Sequence, residues 1–178
     1  MTEFPWIAKY PKGVPARIDP DRVANIPALL DGIAEKHPNA PVFTNMGVTL
    51  TAKESQSLSC DLAGYLQSLP GMQKGDRVAI MMPNLLQYPI ALFAILRAGF
   101  IVVNVNPLYT ARELEHQLKD SGAKAIIIIE NFAKTLERVL THTPVKHIIT
   151  TQVGDLFPFM KRTIVNTVVK HVKKMVPE

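Results

Sequence analysis

Four consecutive isoleucines, residues 126–129, are the feature that most constrains the fold of this chain. With Ala125 they form an apolar run that does not alternate with polar residues. A strand of this kind has to be covered on both faces, as is typical of parallel sheets. The sequence therefore predicts a buried parallel strand at residues 125–129.

Strand and helix patterns alternate from residue 77 onward. The other segments are strands at 77–81, 100–105 and 147–150, and helices at 85–98, 110–122 and 132–140. The helix at 85–98 is apolar nearly all round, so we expect it to be buried on several sides. Repeated βαβ units give a parallel sheet, which places the chain in the α/β class.

The residues before this pattern form a different region. Residues 1–23 hold Pro5, Pro11, Pro15 and Pro20, and we interpret them as an extended arm lying on the surface of something larger. We expect three regions in all: the arm at 1–23, an incomplete α/β domain at 24–155, and a basic amphipathic helix at 156–178.

Two helices and a β-hairpin are predicted within residues 24–69. Asn25 can cap a helix that runs to His37. Residues 42–44 and 48–50 flank a three-residue link ending in Gly47, which indicates a hairpin. The predicted buried stripe of the first helix is Leu29, Leu30, Ile33 and Ala34, and that of a helix after the hairpin is Leu58, Leu62, Leu66 and Leu69.

Two helix starts carry the capping-box pattern, a Thr followed three residues later by Glu. They are Thr51 with Glu54 and Thr110 with Glu113. In this motif the Thr oxygen and the Glu carboxylate each satisfy a main-chain amide that the helix leaves unpaired. Both positions therefore predict helix N-termini.

Composition excludes several classes of protein. Hydrophobic residues make up 47% of the 178, enough for a sizeable core and unlike a disordered chain. The single cysteine, Cys60, excludes an internal disulfide framework and fits a reducing cytoplasm; we expect it to be a buried, inert thiol. We expect no signal peptide at the N-terminus and no membrane-spanning helix, because the apolar runs fall short of the ~20 residues a span needs.

Motifs of catalysis and metal binding are missing from the sequence. The strand-to-helix turns contain none of the glycine-rich patterns that cradle phosphate, and the five histidines lack metal-ligand spacing. His116 is more simply interpreted as a surface helix residue. We expect no catalytic, cofactor-binding or metal-binding residue in this chain.

The loop at residues 106–110 follows a predicted parallel strand, where ligands of open α/β sheets bind. Its simpler interpretation is structural, with Pro107 ending the strand and Thr110 capping the next helix. We favour the structural interpretation.

The last residues form a basic amphipathic pattern. Residues 161–178 carry +4 of the chain's net charge of +5. On a helical wheel an apolar half-circle faces a polar one, with Lys161 inside the apolar arc, from which its long side chain could reach outward. The apolar arc is Met160, Ile164, Val165, Val168, Val169, Val172, Met175 and Val176, and the polar arc is Arg162, Thr163, Asn166, Lys170, Lys173 and Lys174.

Such a helix is typical of the membrane interface, where each cation near an anionic surface contributes about 1 kcal/mol. An amphipathic helix packed on its own protein is the alternative, and nucleic acid is disfavoured because the apolar face would have no role. The predicted membrane-contact residues are Phe159, Arg162, Ile164, Val168, Lys170, Val172, Lys173 and Lys174.

Several motifs resemble the N-terminal domain of the adenylate-forming enzymes. They are Lys-Gly-Asp-Arg-Val-Ala at 74–79, Met-Met-Pro-Asn-Leu-Leu-Gln-Tyr-Pro-Ile-Ala at 81–91, Leu-Arg-Ala-Gly at 96–99 and residues 102–114. The motif Asn-Val-Asn-Pro-Leu-Tyr-Thr at 104–110, followed by Glu-His-Gln-Leu at 115–118, is similar to the corresponding sequence of bacterial long-chain fatty-acid CoA ligases. The resemblance runs from Lys9 to Pro177.

The resemblance implies an ATP-dependent acid–thiol ligase. In this family a fatty acid attacks the α-phosphate of ATP with Mg²⁺ assisting, which gives an acyl-adenylate and releases pyrophosphate. The thiol of CoA then displaces AMP to give acyl-CoA. Its implied partners are long-chain fatty acid, ATP and CoA, with a homodimer left open. It also implies a cytoplasmic enzyme that docks on anionic lipid of the inner membrane through the basic helix.

The family's phosphate loop, adenylate-contacting motif and C-terminal lysine have no counterpart here. We therefore expect the chain to be the first part of the large N-terminal domain of a ligase, inactive alone and binding none of ATP, Mg²⁺ and CoA. Two alternatives stay open: a ligase for a medium-chain or aromatic acid, and a stand-alone module for membrane or protein interaction.

Overall fold

The computed structural model describes residues 4–177 and is a three-layer α/β structure with an added β-hairpin. The helices are α1 (Ile26–Lys36), α2 (Ala52–Ser68), α3 (Gln87–Arg97), α4 (Ala111–Ser121), α5 (Ala133–Glu137) and α6 (Phe159–Thr167). The strands are β1 (Pro41–Asn45), β2 (Val48–Thr51), β3 (Arg77–Met81), β4 (Ile101–Asn104), β5 (Ala125–Ile129) and β6 (His147–Thr151).

The main sheet has four parallel strands in the order β4-β3-β5-β6. β5 is buried along its whole length. Ala125, Ile127 and Ile129 pack with residues of α2 and α3 on one face. Ile126 and Ile128 pack with Leu114, Leu118 and Leu136, which belong to α4 and α5, on the other. The predicted α/β class and the doubly covered strand are confirmed.

Both capping boxes form as predicted. The main-chain N–H groups of Thr51 and Thr110 donate to the carboxylates of Glu54 and Glu113 at 2.8 Å. The Thr hydroxyls in turn accept from the main-chain N–H groups of those glutamates. α4 ends at Gly122, whose φ of 65° is a left-handed conformation that glycine adopts without steric cost.

The hairpin β1–β2 is antiparallel and turns through two residues, one fewer than predicted. Asn45 pairs directly with Val48, so only Met46 and Gly47 form the turn. Both have positive φ, as a type I′ hairpin turn requires. Its residues Leu50 and Val48 pack with Leu86 and Ile90 near the start of α3.

α1 packs on α2 and α3 but buries only half of the predicted stripe. Leu30 and Ala34 are buried, whereas Leu29 is 48% exposed and Ile33 is 40% exposed. The prediction for Leu29 and Ile33 is wrong because the structure covers α1 from one side only.

An ion pair fixes α1 to α3. Both nitrogens of the Arg97 guanidinium fork donate to Asp31, at 2.7 and 3.0 Å. This bidentate contact holds the pKa of Asp31 below its ordinary value.

The buried face of α2 is made of small residues rather than the predicted leucines. Ala52, Ser55, Ser59 and Ala63 are buried ahead of Leu66, while Leu58, Leu62 and Leu69 are half-buried. Cys60 is exposed, so the prediction of a buried thiol is wrong.

The larger differences from the predicted elements lie in three segments. The segment at 130–142 is broken into the short α5 between 3₁₀ turns at Glu130–Phe132 and Leu140–His142. The arm is mostly exposed and contains 3₁₀ turns at Ile7–Lys9 and Pro20–Arg22; residues 1–3 and Glu178 lie outside the described part. α6 continues as a π-helical turn, Val168–Val172, and ends there rather than at residue 176.

We expect Ile126→Ala to destabilise the chain by about 2–5 kcal/mol, because it removes buried methyl groups from the strand that both layers pack on. Urea unfolding of the purified chain measures this. Ile18→Ala is the matched control: Ile18 is 89% exposed, and its loss should change the free energy of unfolding by less than about 0.5 kcal/mol. Equal effects of the two substitutions would contradict the assigned core.

Candidate functional site

The carboxyl ends of the four parallel strands meet at one edge of the sheet, where open α/β sheets bind their ligands. Because β3 lies between β4 and β5, the direction of the strand order reverses at β3. Residues 82–84 follow β3 at this edge, and Glu130 and Asn131 follow β5. A ligand site is therefore expected at this edge.

The loop at 106–110 uses its polar groups internally. The Asn106 side chain accepts from the N–H of Leu108 at 3.0 Å, and the N–H of Tyr109 donates to the Asn106 carbonyl at 3.1 Å. Thr110 caps α4, and its N–H contact with the Glu113 carboxylate keeps the pKa of Glu113 below its ordinary value. The geometry agrees with the structural interpretation of this loop.

A network of side-chain amides fills the space beyond β5 and β6. Gln87, at the start of α3, donates to the main-chain carbonyl of Gln152 at 2.6 Å. The Gln152 side chain donates to Glu130 at 2.9 Å and accepts from Asn166 at 2.8 Å. Asp155 accepts from the main-chain N–H of Gln152 at 2.7 Å. The network connects α3, β6 and α6, and it holds the segment between β6 and α6 in place.

Asn166 is the residue of α6 that joins this network. Its amide oxygen accepts from the N–H of Gly154 at 2.8 Å, and its nitrogen also approaches Asp155 at 3.3 Å. Asn166 was predicted on the solvent-facing polar arc, and that placement is wrong. A helical wheel could not predict this contact of Asn166. The wheel groups residues by side, and it does not show which side the rest of the protein covers.

Gly154 lies against α6 with no room for a side chain. An added Cβ would come within 2.8 Å of the Asn166 amide oxygen and 3.2 Å of Arg162 main-chain atoms. The segment between β6 and α6 therefore lies so close to α6 that only glycine fits at position 154 without a shift of its neighbours.

The contacts of the network are structural, since they join α3, β6 and α6. Within residues 4–177 no group of His, Cys, Asp or Glu side chains could hold a metal ion. The amides at the sheet edge bond mainly to main-chain groups and carboxylates of the same region. The Gln87 and Asn131 side-chain oxygens are buried without a partner. Two such acceptors cannot bind the phosphates of a nucleotide, which are acceptors themselves.

The second candidate site is the outer surface of α6 and its π-helical turn. All eight residues predicted to contact a membrane are exposed, including Phe159 at 81%, Ile164 at 60% and Val172 at 68%. The predicted apolar arc divides into two parts. Val165 packs in the cluster that holds Leu50 of the hairpin, and Val169 and Val176 are half-buried. Met160, Ile164, Val168 and Val172 form an exposed apolar stripe, and Met175 is exposed in the segment after it.

Lys161 does not reach outward as predicted. Its ammonium group donates to the main-chain carbonyl of Met46 in the hairpin turn and lies 5.6 Å from the centre of the Phe157 ring. Both contacts draw the side chain toward the protein, so Lys161 attaches α6 to the hairpin and leaves the exposed stripe uninterrupted.

Lys173 and Lys174 follow the helical turn instead of continuing it. Lys174 has a φ of 48°, and the chain then folds back so that the N–H of Met175 reaches the carbonyl of Val169 at 3.0 Å. Asn131 donates to the Met175 carbonyl at 3.0 Å, which fixes the returning segment to the end of β5. Among the described residues, no helix has the length and apolar character needed to cross a membrane.

Comparison with known families gives a match over most of the chain. Residues 30–177 match the model of the family described as AMP-binding enzyme. A long-chain-fatty-acid–CoA ligase of Yersinia pestis is 56% identical over 173 residues, which are 97% of this chain and 31% of the relative. The chain thus spans about a third of the length of such relatives.

Solved structures of acyl-CoA ligases share the fold. A long-chain-fatty-acid-CoA ligase from Archaeoglobus fulgidus has a TM-score of 0.67 at 25% identity, covering 88% of this chain and 32% of its own. The N-terminal domain of FACL13 from Mycobacterium tuberculosis has a TM-score of 0.67 at 26% identity, covering 72% of this chain and 34% of its own. The predicted likeness to the N-terminal domain of such enzymes is confirmed.

We expect Gly154→Ala to loosen α6 from the sheet edge and to cost about 1–3 kcal/mol, because the new methyl group displaces Asn166 or the main chain of Arg162. Faster hydrogen exchange of residues 159–172, measured by mass spectrometry, reports the loosening directly. Gly64→Ala is the control: Gly64 lies in α2, and no atom lies within 4 Å of its added Cβ. It should leave exchange in α6 unchanged; equal exchange in the two variants would show that the contact at Gly154 does not hold the helix.

Proposed function

Because this chain belongs to the AMP-binding enzyme family, we propose that it forms the N-terminal third of a long-chain fatty-acid CoA ligase. The observation that carries the proposal is the high identity to long-chain ligases over nearly the whole chain. The ligase converts a fatty acid, ATP and CoA into acyl-CoA, AMP and pyrophosphate through an acyl-adenylate, and so activates fatty acids for oxidation or lipid synthesis.

We propose that the sites for ATP and Mg²⁺ lie outside the described residues. The turns after β3, β4 and β5 lack glycine, and residues 4–177 hold no cluster suited to a metal ion. We therefore assign binding of ATP, Mg²⁺ and CoA to the rest of the ligase. This chain contributes the scaffold: a sheet covered on both faces and an edge made rigid by the amide network.

We also propose that the ligase is cytoplasmic and docks on the inner membrane through α6 and the residues that follow it. The support is the exposed apolar stripe beside the exposed cations Arg162, Lys170, Lys173 and Lys174. Arg162 also lies 3.6 Å from Asp155, so the other three cations carry most of the attraction. A homodimer stays a prediction, which light scattering would test.

We expect a longer polypeptide containing this chain to catalyse palmitate-dependent exchange of pyrophosphate into ATP, and the 178-residue chain alone to show none. Assays with palmitate, octanoate and benzoate separate the long-chain ligase from its alternatives. Exchange with benzoate but not palmitate would overturn the long-chain assignment. Exchange by the chain alone would show that it holds a nucleotide site.

We expect the protein to bind phosphatidylcholine vesicles that contain phosphatidylglycerol, and to bind them more weakly as salt shortens the Debye length from about 10 Å at 0.1 M toward 3 Å at 1 M. Ile164→Ser should weaken binding roughly three- to tenfold in a sedimentation assay, because it removes apolar area from the stripe. The control Ile18→Ser replaces an isoleucine that is exposed on the arm and should bind as the unchanged protein does. Equal binding to neutral vesicles would remove the electrostatic part of the proposal.

A further inference from the structure

The end of the π-helical turn forms a concave cationic site of about 400 Å³, which we call the basic pocket. It is lined by Lys170, His171, Lys174, Val176 and Pro177. Within residues 4–177 no carboxylate lies within ion-pair distance of Lys170 or Lys174, unlike Lys119, which pairs with Glu115. The pocket therefore presents unpaired positive charge.

The main chain is turned so that Lys174 faces this pocket. Its φ of 48° is a left-handed conformation that residues with a Cβ rarely adopt, and helices more often end in glycine there. Strained main-chain conformations at residues other than glycine are frequent at sites that bind a ligand. Here the strained residue is itself one of the two lysines that line the pocket.

The end of the π-helical turn should repel an anion less than a helix C-terminus usually does. The exposed carbonyls of a last turn carry partial negative charge and repel anions. Here the carbonyl of Val168 accepts from the N–H of Lys173 at 2.7 Å, and that of Val169 accepts from Met175. Two of the terminal carbonyls are thereby satisfied by the returning main chain.

The floor of the pocket is fixed in place. Val176 and Pro177 follow Met175, whose carbonyl accepts from Asn131 at the end of β5. The pocket is consequently tied to the sheet.

The apolar stripe ends next to the pocket in the chain. Val172, the last residue of the stripe, is one residue from His171 and two from Lys170 and Lys174. A ligand that satisfies both surfaces has a phosphate and an apolar body. Lysine binds phosphate as a point charge, and the imidazole adds an N–H donor.

We propose that the basic pocket binds the phosphate of an anionic phospholipid while the apolar stripe lies among the acyl chains. A phosphomonoester headgroup, which carries about −1.5 to −2 charges when fully exposed, should bind better than a phosphodiester, which carries one. This inference rests on the proposed membrane contact and adds to it a specific lipid site.

Lys173 provides a matched control for testing the pocket. It is exposed, has the same charge and lies between His171 and Lys174 in the chain, yet it does not line the pocket. Diffuse attraction to an anionic surface should depend equally on Lys170 and Lys173, whereas a phosphate site should depend on the pocket lysines Lys170 and Lys174 and not on Lys173.

The test compares Lys170→Gln with Lys173→Gln in the full-length protein, using vesicles that contain phosphatidic acid or phosphatidylserine at equal zeta potential. With phosphatidic acid, Lys170→Gln should lose at least tenfold more affinity than Lys173→Gln. With phosphatidylserine both should lose about fivefold, the loss expected for one cation near an anionic surface. Lys174→Asn, which keeps a residue tolerant of positive φ, should behave as Lys170→Gln does.

The outcomes separate this inference from the proposed function. Equal losses for both variants on both vesicles would overturn the pocket and leave membrane docking intact. Absence of binding to any vesicle would overturn docking and pocket together, while palmitate-dependent exchange would still test the ligase. Inorganic phosphate at constant ionic strength should compete only weakly; full competition at millimolar concentration would identify a free-phosphate site instead of a lipid site.

Discussion

The requirement to cover β5 on both faces organises the structure. Alternate side chains of a strand point to opposite faces, so an uninterrupted apolar strand needs a helical layer on each side. α2 and α3 supply one layer, and α4 and α5 supply the other. The remaining elements attach around this core. α1 packs on α2 and α3 and pairs Asp31 with Arg97, and the hairpin packs against the start of α3. α6 is held by the amide network and by its contacts with the hairpin. A loss of packing at β5 would therefore displace the elements that carry both candidate sites.

The amide network explains how a surface helix acquires a fixed position. Helices with an exposed apolar side tend to slide or detach, because hydrophobic contact is not directional. Asn166 adds direction, since its amide joins the N–H of Gly154 to the Gln152 side chain. Lys161 adds a second fixed point at the hairpin turn. With polar contacts at both Lys161 and Asn166, the helix can keep Met160 and Ile164 turned outward without losing its orientation.

Local sequence signals predicted most helices and strands. Which side chains of each helix are buried depends on packing between elements, which those signals do not contain. Capping boxes at Thr51 and Thr110 and the isoleucine run are self-contained patterns, and the structure confirms all three. The exposed Leu29 and Cys60 and the divided apolar arc of α6 were not predictable in the same way. A helical wheel shows which residues share a face but not how much of that face a neighbour covers. The amide network eluded prediction for a related reason: Gln87, Gln152 and Asn166 are far apart in sequence, and single amides have no distinctive pattern.

The relation between the two candidate sites follows from their shared element. α6 reaches the carboxyl edge of the sheet through Asn166, and its outer face carries the apolar stripe. In open α/β sheets that edge is where ligands bind. In the proposed ligase, a fatty acid leaving the bilayer beside α6 would therefore start next to the edge of the sheet on which ligands of such folds bind. A rigid link between the two surfaces keeps that distance constant, which is an advantage for a substrate too apolar to diffuse freely through water. In this proposal the contribution of the chain is the relative position of membrane and sheet.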